Sequence, residues 1–365
     1  MRIAQIAPLA ESCPPRLYGG TERIVSFLTE ELVAQGHDVT LFASGDTRTA
    51  ARLIPCSRQA LRLNPNVRDH LPYHVAMLEE VRRRVDEFDV LHFHIDFLHF
   101  PMSRDFVGRT LTTLHGRLDL PDIHPLFESF CDVPLCSISY SQRAPMPPSV
   151  NWVGNIYHGL PRDRLPFSPS AHGGYLVFIG RISPEKRPDR AIEIARRVGL
   201  RLVIAAKVDR VDQVYWDEVI GPMVRTSPHV DFIGEVDDRQ KAKLIGHASA
   251  VLFPVDWPEP FGLVMIEAMA CGTPVVAFRC GSVPEVLKPG VSGVIIDSMD
   301  EAEAAVQVAL ALDRGAVRAD FEARFTADRM ASDYVQLYHE LEGAHLNAVY
   351  ARRANSAGVD LHVVA

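Results

Sequence analysis

"VDWPEPFGLVMIEAMACGTPVVAF", Val255 to Phe278, places two acids, Glu259 and Glu267, in a run that is otherwise apolar. A carboxylate buried without a partner costs several kcal/mol, roughly, so two of them here predict polar groups that come to meet them. The preceding "AVLFPV" reads as a buried strand. Pro258 and Pro260 cannot sit inside a helix, which holds Glu259 in a loop at the carboxyl end of that strand. A helix can then begin only near Gly262. Its first N–H groups, from Gly262 to Val264, have no partner within the helix and form an anion site with the helix dipole. Glu267 falls on the second turn among Leu263, Val264, Ile266, Ala268 and Met269. Ribose hydroxyls would satisfy a carboxylate there, and Glu259, ahead of the helix, would lie beyond the phosphates and near a sugar. The competing reading makes both of them ordinary solvated acids.

Outward from this stretch, short apolar runs alternate with longer amphipathic ones. "RIAQIAP", "HDVTLFA", "DVLHFHI" and "TLTTLH" read as strands, "GGTERIVSFLTEELVAQG" and "HVAMLEEVRRRVDEF" as helices. The pattern breaks at "GLPRDRLPFSPSAHGG" and restarts with "YLVFIGR", "RPDRAIEIARRVG" and "LRLVIAAK". Such alternation predicts α/β architecture: two doubly wound parallel-sheet domains in tandem, covered on both faces. The expected division is residues 1–168, residues 169–330, a C-terminal helix over 331–350 crossing back to the first domain, and a loose tail over 351–365 without helical periodicity.

Composition agrees with two globular domains. The chain has 365 residues, 47% hydrophobic and 23% charged, with a net charge of -8. That balance gives no general attraction to nucleic acid or to an anionic membrane, although it leaves a weak membrane association open. "MRIAQIAPLAES" is too short in its apolar run for a secretory leader and reads better as a first strand. No run approaches the roughly 18 apolar residues of a membrane span. Six cysteines without C-x-x-C or zinc spacing read as reduced thiols of a cytoplasmic protein.

Three further clusters bear on chemistry. In "YLVFIGRISPEKRPDR", Arg181 and Lys186 follow a strand, where charge-assisted bonds to a diphosphate would form. In "RLYGGTERIVSFL", Gly19 and Gly20 allow close approach of backbone to a ligand, with Thr21 the expected helix N-cap. The absence of G-x-G-x-x-G disfavours a dinucleotide. "TTLHG" puts His115 just after a strand, facing the same crevice, with a core histidine as the alternative. The three histidines of "HFHIDFLHF" lack the acid cluster a metal site needs.

At these residues the chain resembles the retaining glycosyltransferases of family 4, with the two-domain GT-B fold. The features are E-x7-E from Glu259 to Glu267, "GRISPEK", "YGGTER", "TTLHG" and "GSVPEVL". The resemblance implies a nucleotide-sugar donor held mainly by the second domain and an acceptor on the first. It implies that Arg181 and Lys186 hold the diphosphate, Glu267 the ribose, and Glu259 with the backbone of Phe261, Gly262, Leu263 and Val264 the sugar and distal phosphate. Gly20, beside Gly19, would touch the phosphate from the other side, His115 the sugar, and Ile233 the base. The family commonly has Asn-Gly where this chain has His158-Gly159. The expected reaction is metal-independent transfer of a hexose, from a donor of UDP-glucose or GDP-mannose type, with retention and with no protein nucleophile. The acceptor is a small molecule, a lipid-linked glycan or a polysaccharide precursor. No cofactor and no nucleic-acid partner are expected. Rival readings are a phosphorylase, nucleotide-sugar hydrolase or epimerase of the same fold, and a nucleotide-sugar-binding module without turnover.

Overall fold

The computed structural model describes residues 1–356 apart from positions 18 and 63. Seven strands form the first sheet: β1 (Arg2–Ile6), β2 (Asp38–Ser44), β3 (Arg52–Ser57), β4 (Val90–Phe93), β5 (Thr110–Thr113), β6 (Leu135–Ser137) and β7 (Trp152–Asn155). Their spatial order is β3-β2-β1-β4-β5-β6-β7, all parallel. Six form the second: β8 (Tyr175–Arg181), β9 (Arg201–Lys207), β10 (Val230–Gly234), β11 (Ala250–Phe253), β12 (Val275–Phe278) and β13 (Gly293–Ile296). Their order is β10-β9-β8-β11-β12-β13, again parallel. Each sheet thus reverses direction once, between β1 and β4 and between β8 and β11. In such sheets ligands bind outside the carboxyl ends of the strands at that reversal.

The strands are apolar runs because both faces are covered: every residue of β4, β11 and β12 is buried. β3 departs from this pattern and does not read as a strand from sequence. It is a half-exposed edge strand that carries Pro55, tolerable only where one row of N–H groups has no partner strand. The helix Leu263–Ala270 is apolar on nearly all sides, and Val264 through Ala270 are buried.

The last helix runs from Ala327 to Ser356. It begins beside the second domain and lies along the first sheet. Tyr334 and Tyr338 are almost fully buried there. Tyr338 Oη accepts from Gln5 Nε2 on β1 at 3.0 Å and meets His92 Nδ1 on β4 at 2.8 Å. Tyr334 Oη meets Thr113 Oγ1 on β5 at 2.9 Å. The expected loose tail is corrected in part: residues 351–356 continue this helix, and residues 357–365 lie outside the described residues.

Candidate functional site

The loops after β1, β5, β8, β9, β10 and β11 converge on a cavity of about 660 Å³ between the two sheets. Gly19, Gly20, His115, Arg181, Lys186, Glu259, Phe261, Gly262, Leu263, Val264 and Glu267 all line it.

Two helix N-termini face each other here. Gly262 caps the helix Leu263–Ala270 in the left-handed region, φ 78°, with no side-chain bond to the first N–H groups. A Cβ at Gly262 would lie 2.8 Å from Met265 Cε and 2.9 Å from Phe253 Cζ, so both backbone and packing demand glycine. Opposite, Gly19 caps the helix Gly20–Ala34, also without a side-chain bond. Thr21, the expected cap, is already inside that helix. A Cβ added at Gly20 would be 3.6 Å from Leu263 Cδ1, which measures how closely the two helix starts approach. Two positive dipole ends that face one cavity without a capping side chain suit a polyanion.

The loop carrying Glu259 is pinned from three sides. Ser282 N donates to Glu259 O at 2.9 Å, and Ser282 Oγ to Phe261 O at 2.9 Å. Gly281, φ 54°, presses its α-carbon against the Glu259 backbone and leaves no room for a Cβ. From the first domain, Ser139 Oγ donates to Pro260 O at 2.7 Å. Groups held this way need little reorganisation when a ligand arrives.

The polar partners of the two acids are lysines of the chain itself. Glu259, 8% exposed, accepts from Lys186 Nζ and from Trp257 Nε1 at 2.8 Å through the same oxygen, Oε2. Glu267, 6% exposed, accepts from Lys241 Nζ, and Asp238 Oδ1 is a further 3.6 Å from that ammonium. Arg181 Nη2 pairs with Glu185, and its Nε lies 3.2 Å from Asp212 Oδ2. The site is therefore a lattice of alternating charges rather than a row of isolated acids, and the solvated-acid reading fails for both glutamates.

On the wall belonging to the first domain, Arg62 pairs with Glu11, which is 3% exposed and has its second oxygen, Oε2, without a partner among the described residues. Glu22 accepts from Glu11 N at 3.2 Å. Burial raises the pKa of both carboxyls.

His115 sits at the end of a chain of neutral side chains. Gln5 Nε2 donates to Tyr338, so Gln5 Oε1 faces His94 Nε2 at 2.8 Å and must accept its proton. Burial holds His94 well below the usual histidine range and lowers His115 to about 3, so each ring carries one proton. His94 Nδ1 is then bare and accepts from His115 Nε2 at 2.9 Å. His115 Nδ1 is left bare and without a partner among the described residues; it can only accept. His158, where the family commonly has asparagine, stacks on His115 with ring centroids 5.3 Å apart and meets the Phe261 ring at 4.8 Å.

One expected residue is not brought to the site. Ile233 lies on β10, 47% exposed, and does not line the cavity. Its neighbour Phe232 packs on Trp216 at 4.3 Å between ring centroids, and side chains alternate across a strand, so Ile233 is turned to solvent. Glu235 and Val236, just beyond the strand, line the cavity in its place. Lys241, Trp257, Glu11 and Arg62 escaped the sequence reading. For Lys241 the only signal was indirect: a buried Glu267 needs a cation, and the Asp237–Gln240 capping box marks the helix that carries one. Among the described residues, no group of three or more His, Cys, Asp or Glu side chains is placed to hold a metal ion, and no helix is long and apolar enough to cross a membrane.

Known proteins share this arrangement of chain. A family model described as "Glycosyl transferases group 1" matches residues 170–326, and one described as "Glycosyltransferase Family 4" matches residues 18–139. The chain is 30% identical over 199 residues to the D-inositol 3-phosphate glycosyltransferase of Mycolicibacterium smegmatis, covering 51% of this chain and 44% of that protein. It is 27% identical over 333 residues to an uncharacterised glycosyltransferase of Methanocaldococcus jannaschii, covering 80% and 84%. Among solved structures, Anabaena HepE in complex with UDP and glucose superposes with a TM-score of 0.72 at 18% identity, over 93% of this chain and all of that one. The chain has the GT-B fold and is related to the glycosyltransferases of group 1 and family 4. It spans less than half the length of the mycolicibacterial relative.

Proposed function

We propose that this protein is a retaining, metal-independent glycosyltransferase that moves a hexose from a nucleoside-diphosphate sugar to a hydroxyl acceptor. The observation that carries this is the pair of glycine-capped helix N-termini facing each other across the cavity, with Arg181 and Lys186 beside them. A diphosphate between them meets N–H groups from both domains and two cations. In the reaction, the bond from the anomeric carbon to the diphosphate oxygen breaks, and the acceptor oxygen forms a bond to that carbon on the same face. The hydroxyl proton passes to the departing phosphate. Negative charge grows on the leaving group, and fixed donors that meet it lower the barrier. Glu259 is engaged by Lys186 and Trp257, which suits a carboxylate that orients the sugar better than one that attacks it. Glu267 would add ribose hydroxyls to its lysine bond. Arg181, Lys186, Glu259 and His115 are the residues to which we assign catalytic contacts; Gly19, Gly20, Phe261, Gly262, Leu263, Val264 and Glu267 bind the donor. HepE was solved in complex with UDP and glucose, which supports a donor of UDP-glucose or GDP-mannose type.

The test is release of nucleoside diphosphate from UDP- and GDP-hexoses with EDTA present, with the product anomer read by NMR. Arg181→Ala and Lys186→Ala should each lower kcat about 100-fold. An inverted product, activity that only Mg²⁺ or Mn²⁺ restores, or full turnover in both variants would overturn the assignment.

A further inference from the structure

A second cavity, of about 700 Å³, lies beside the main one, and Asp238 lines both. Three stretches distant in sequence build it. They are the first-domain loop at Pro15 and Arg16, the connection between domains at Arg164 and Phe167, and one face of the helix Asp238–His247.

Cations outnumber acids in its wall. Arg16, Arg164, Arg239 and Lys243 line it against Asp237 and Asp238, in a chain whose net charge is -8. Both acids are engaged already. Asp237 Oδ1 accepts from Gln240 N at 2.8 Å and caps the helix. Asp238 Oδ2 accepts from Arg164 and from Arg23 of the first domain, and its Oδ1 lies 3.6 Å from Lys241 Nζ. Of the neutral groups, Ser168 Oγ donates to Ser170 O at 3.0 Å, and the His247 ring lies 6.1 Å from that of His172. The side chains of Arg16, Arg239 and Lys243 have no hydrogen-bond or ion-pair partner among the described residues.

On other helices the chain pairs such cations with acids. Arg82 and Arg83 meet Glu79, Arg196 and Arg197 meet Glu193, and Arg324 meets Asp320, all three or four positions away. Arg239 and Lys243 are instead four positions from each other. The remaining helical positions three or four from either are Gln240, Ala242, Gly246 and His247, none of them acidic. Like charges at that spacing repel. An anion between them removes the repulsion and draws in Arg16 and Arg164 from the other two walls.

Phe167 is 42% exposed and lines the same cavity with Pro15 and Pro166. Inorganic phosphate would leave that apolar surface wet, whereas an organic body would cover it. The net charge of -8 disfavours a long polyanion, which would have to run on beyond the four cations. We propose that this cavity binds a small organic phosphate ester, and that binding there tightens the hold on nucleotide in the main cavity. The phosphate lies among the four cations and the body against Phe167. Asp238 carries the coupling. Arg164, once shared with the anion, neutralises Asp238 less, and Asp238 draws more on Lys241. Lys241 is the ammonium from which Glu267 accepts, so Glu267 is freed for ribose hydroxyls. The same anion ties the first-domain loop to a second-domain helix. The site stands apart from the transferase reading; its coupling to the nucleotide rests on that reading.

The probes are phenyl phosphate, inorganic phosphate and a short single-stranded oligonucleotide. Binding to the full chain is measured by calorimetry at low salt, with and without UDP or GDP filling the main cavity. Phenyl phosphate should bind beside the nucleotide, about threefold more tightly than inorganic phosphate, the worth of one aromatic contact. Arg239→Ala combined with Lys243→Ala should weaken it about tenfold and leave UDP and GDP affinity unchanged when phenyl phosphate is absent. Phenyl phosphate should tighten the nucleotide about fivefold, and the nucleotide should tighten phenyl phosphate by the same factor. Asp238→Asn should keep phenyl phosphate binding and abolish that coupling. Binding indifferent to the double variant, inorganic phosphate that binds as tightly as the ester, or an oligonucleotide that binds more tightly than either would overturn the proposal. Coupling that persists in Asp238→Asn would overturn its route. Sugar transfer without any binding of phenyl phosphate would sink the site and leave the transferase reading intact. Phenyl phosphate binding that depends on Arg239 and Lys243, in a protein that binds neither nucleotide, would sink the transferase reading and the coupling and leave the site.

Discussion

Lys241→Met isolates what a buried pair contributes. The variant keeps the aliphatic length of the side chain and removes the ammonium that Glu267 accepts from. In the parent the two side chains are 14% and 7% exposed, and Asp238 Oδ1 also lies 3.6 Å from the ammonium. Removing one partner of a buried ion pair costs about 3–5 kcal/mol, because the remaining charge stays desolvated. Partial exposure of Lys241 sets the expectation at the lower end, about 3 kcal/mol. For a domain of this size that corresponds to a fall in Tm of roughly 6–12 °C. Glu267→Gln in the same chain removes the stranded charge, and the double variant should recover about 2 kcal/mol of the loss. Urea unfolding followed by tryptophan fluorescence, on the parent, both single variants and the double, closes the cycle. A cost below about 1 kcal/mol for Lys241→Met, or a double variant no more stable than Lys241→Met, would mean that Glu267 is solvated in solution and that the paired-carboxylate account is wrong.

Gly281→Ala places a methyl group against the Glu259 backbone at φ 54°. It should displace the loop, lower stability by about 1–3 kcal/mol and reduce kcat more than nucleoside diphosphate affinity; unchanged kcat would show that the pinned loop is irrelevant to turnover. The buried histidines predict an acid limit. Burial lowers the pKa of His92, His94 and His158 and brings His99 and His115 to about 3. Below about 6.5 the unfolded chain therefore binds protons that the folded chain refuses. Stability should be full above that pH and fall steadily from about 6.5 toward 3; a flat profile over that range, measured as Tm against pH, would show that these rings charge freely in the native state.

Much of this was legible in the sequence, for physical reasons that can be named. Strand–helix alternation writes a parallel sheet as apolar runs, and β4, β11 and β12 are such runs because both faces are buried. Pro258, Pro260 and Gly262 fix a loop followed by a helix start almost without help from the rest of the fold. What escaped depends on contacts between distant segments. Lys241 reaches Glu267 across 26 positions, and Arg62 reaches Glu11 across 51; neither spacing is periodic. β3 was hidden by Pro55, which an edge strand tolerates. Thr21 was expected as a cap because its side chain can serve as one, whereas Gly19 caps that helix without a side-chain bond. Ile233 was expected at the base; on β10 its side chain is half exposed, and Glu235 and Val236 beyond the strand line the cavity.

The helix that starts at Ala327 has a consequence for anyone who wishes to recombine halves of such molecules. Cutting in the proline-rich connection and expressing the first half alone would strip Tyr334 and Tyr338 from its sheet. Gln5, His92 and Thr113 would then lose the hydroxyls they meet, and an apolar trough would be left open. The seam along which this protein can be divided is therefore not a single point in the chain. A chimera meant to inherit the first half must carry two pieces, the first sheet and the final helix, and the second half is an insertion between them. Gene fusions designed with one crossover will tend to fail as folding problems before any question of specificity is reached, whereas grafts that exchange the inserted half at two crossovers keep both cores whole.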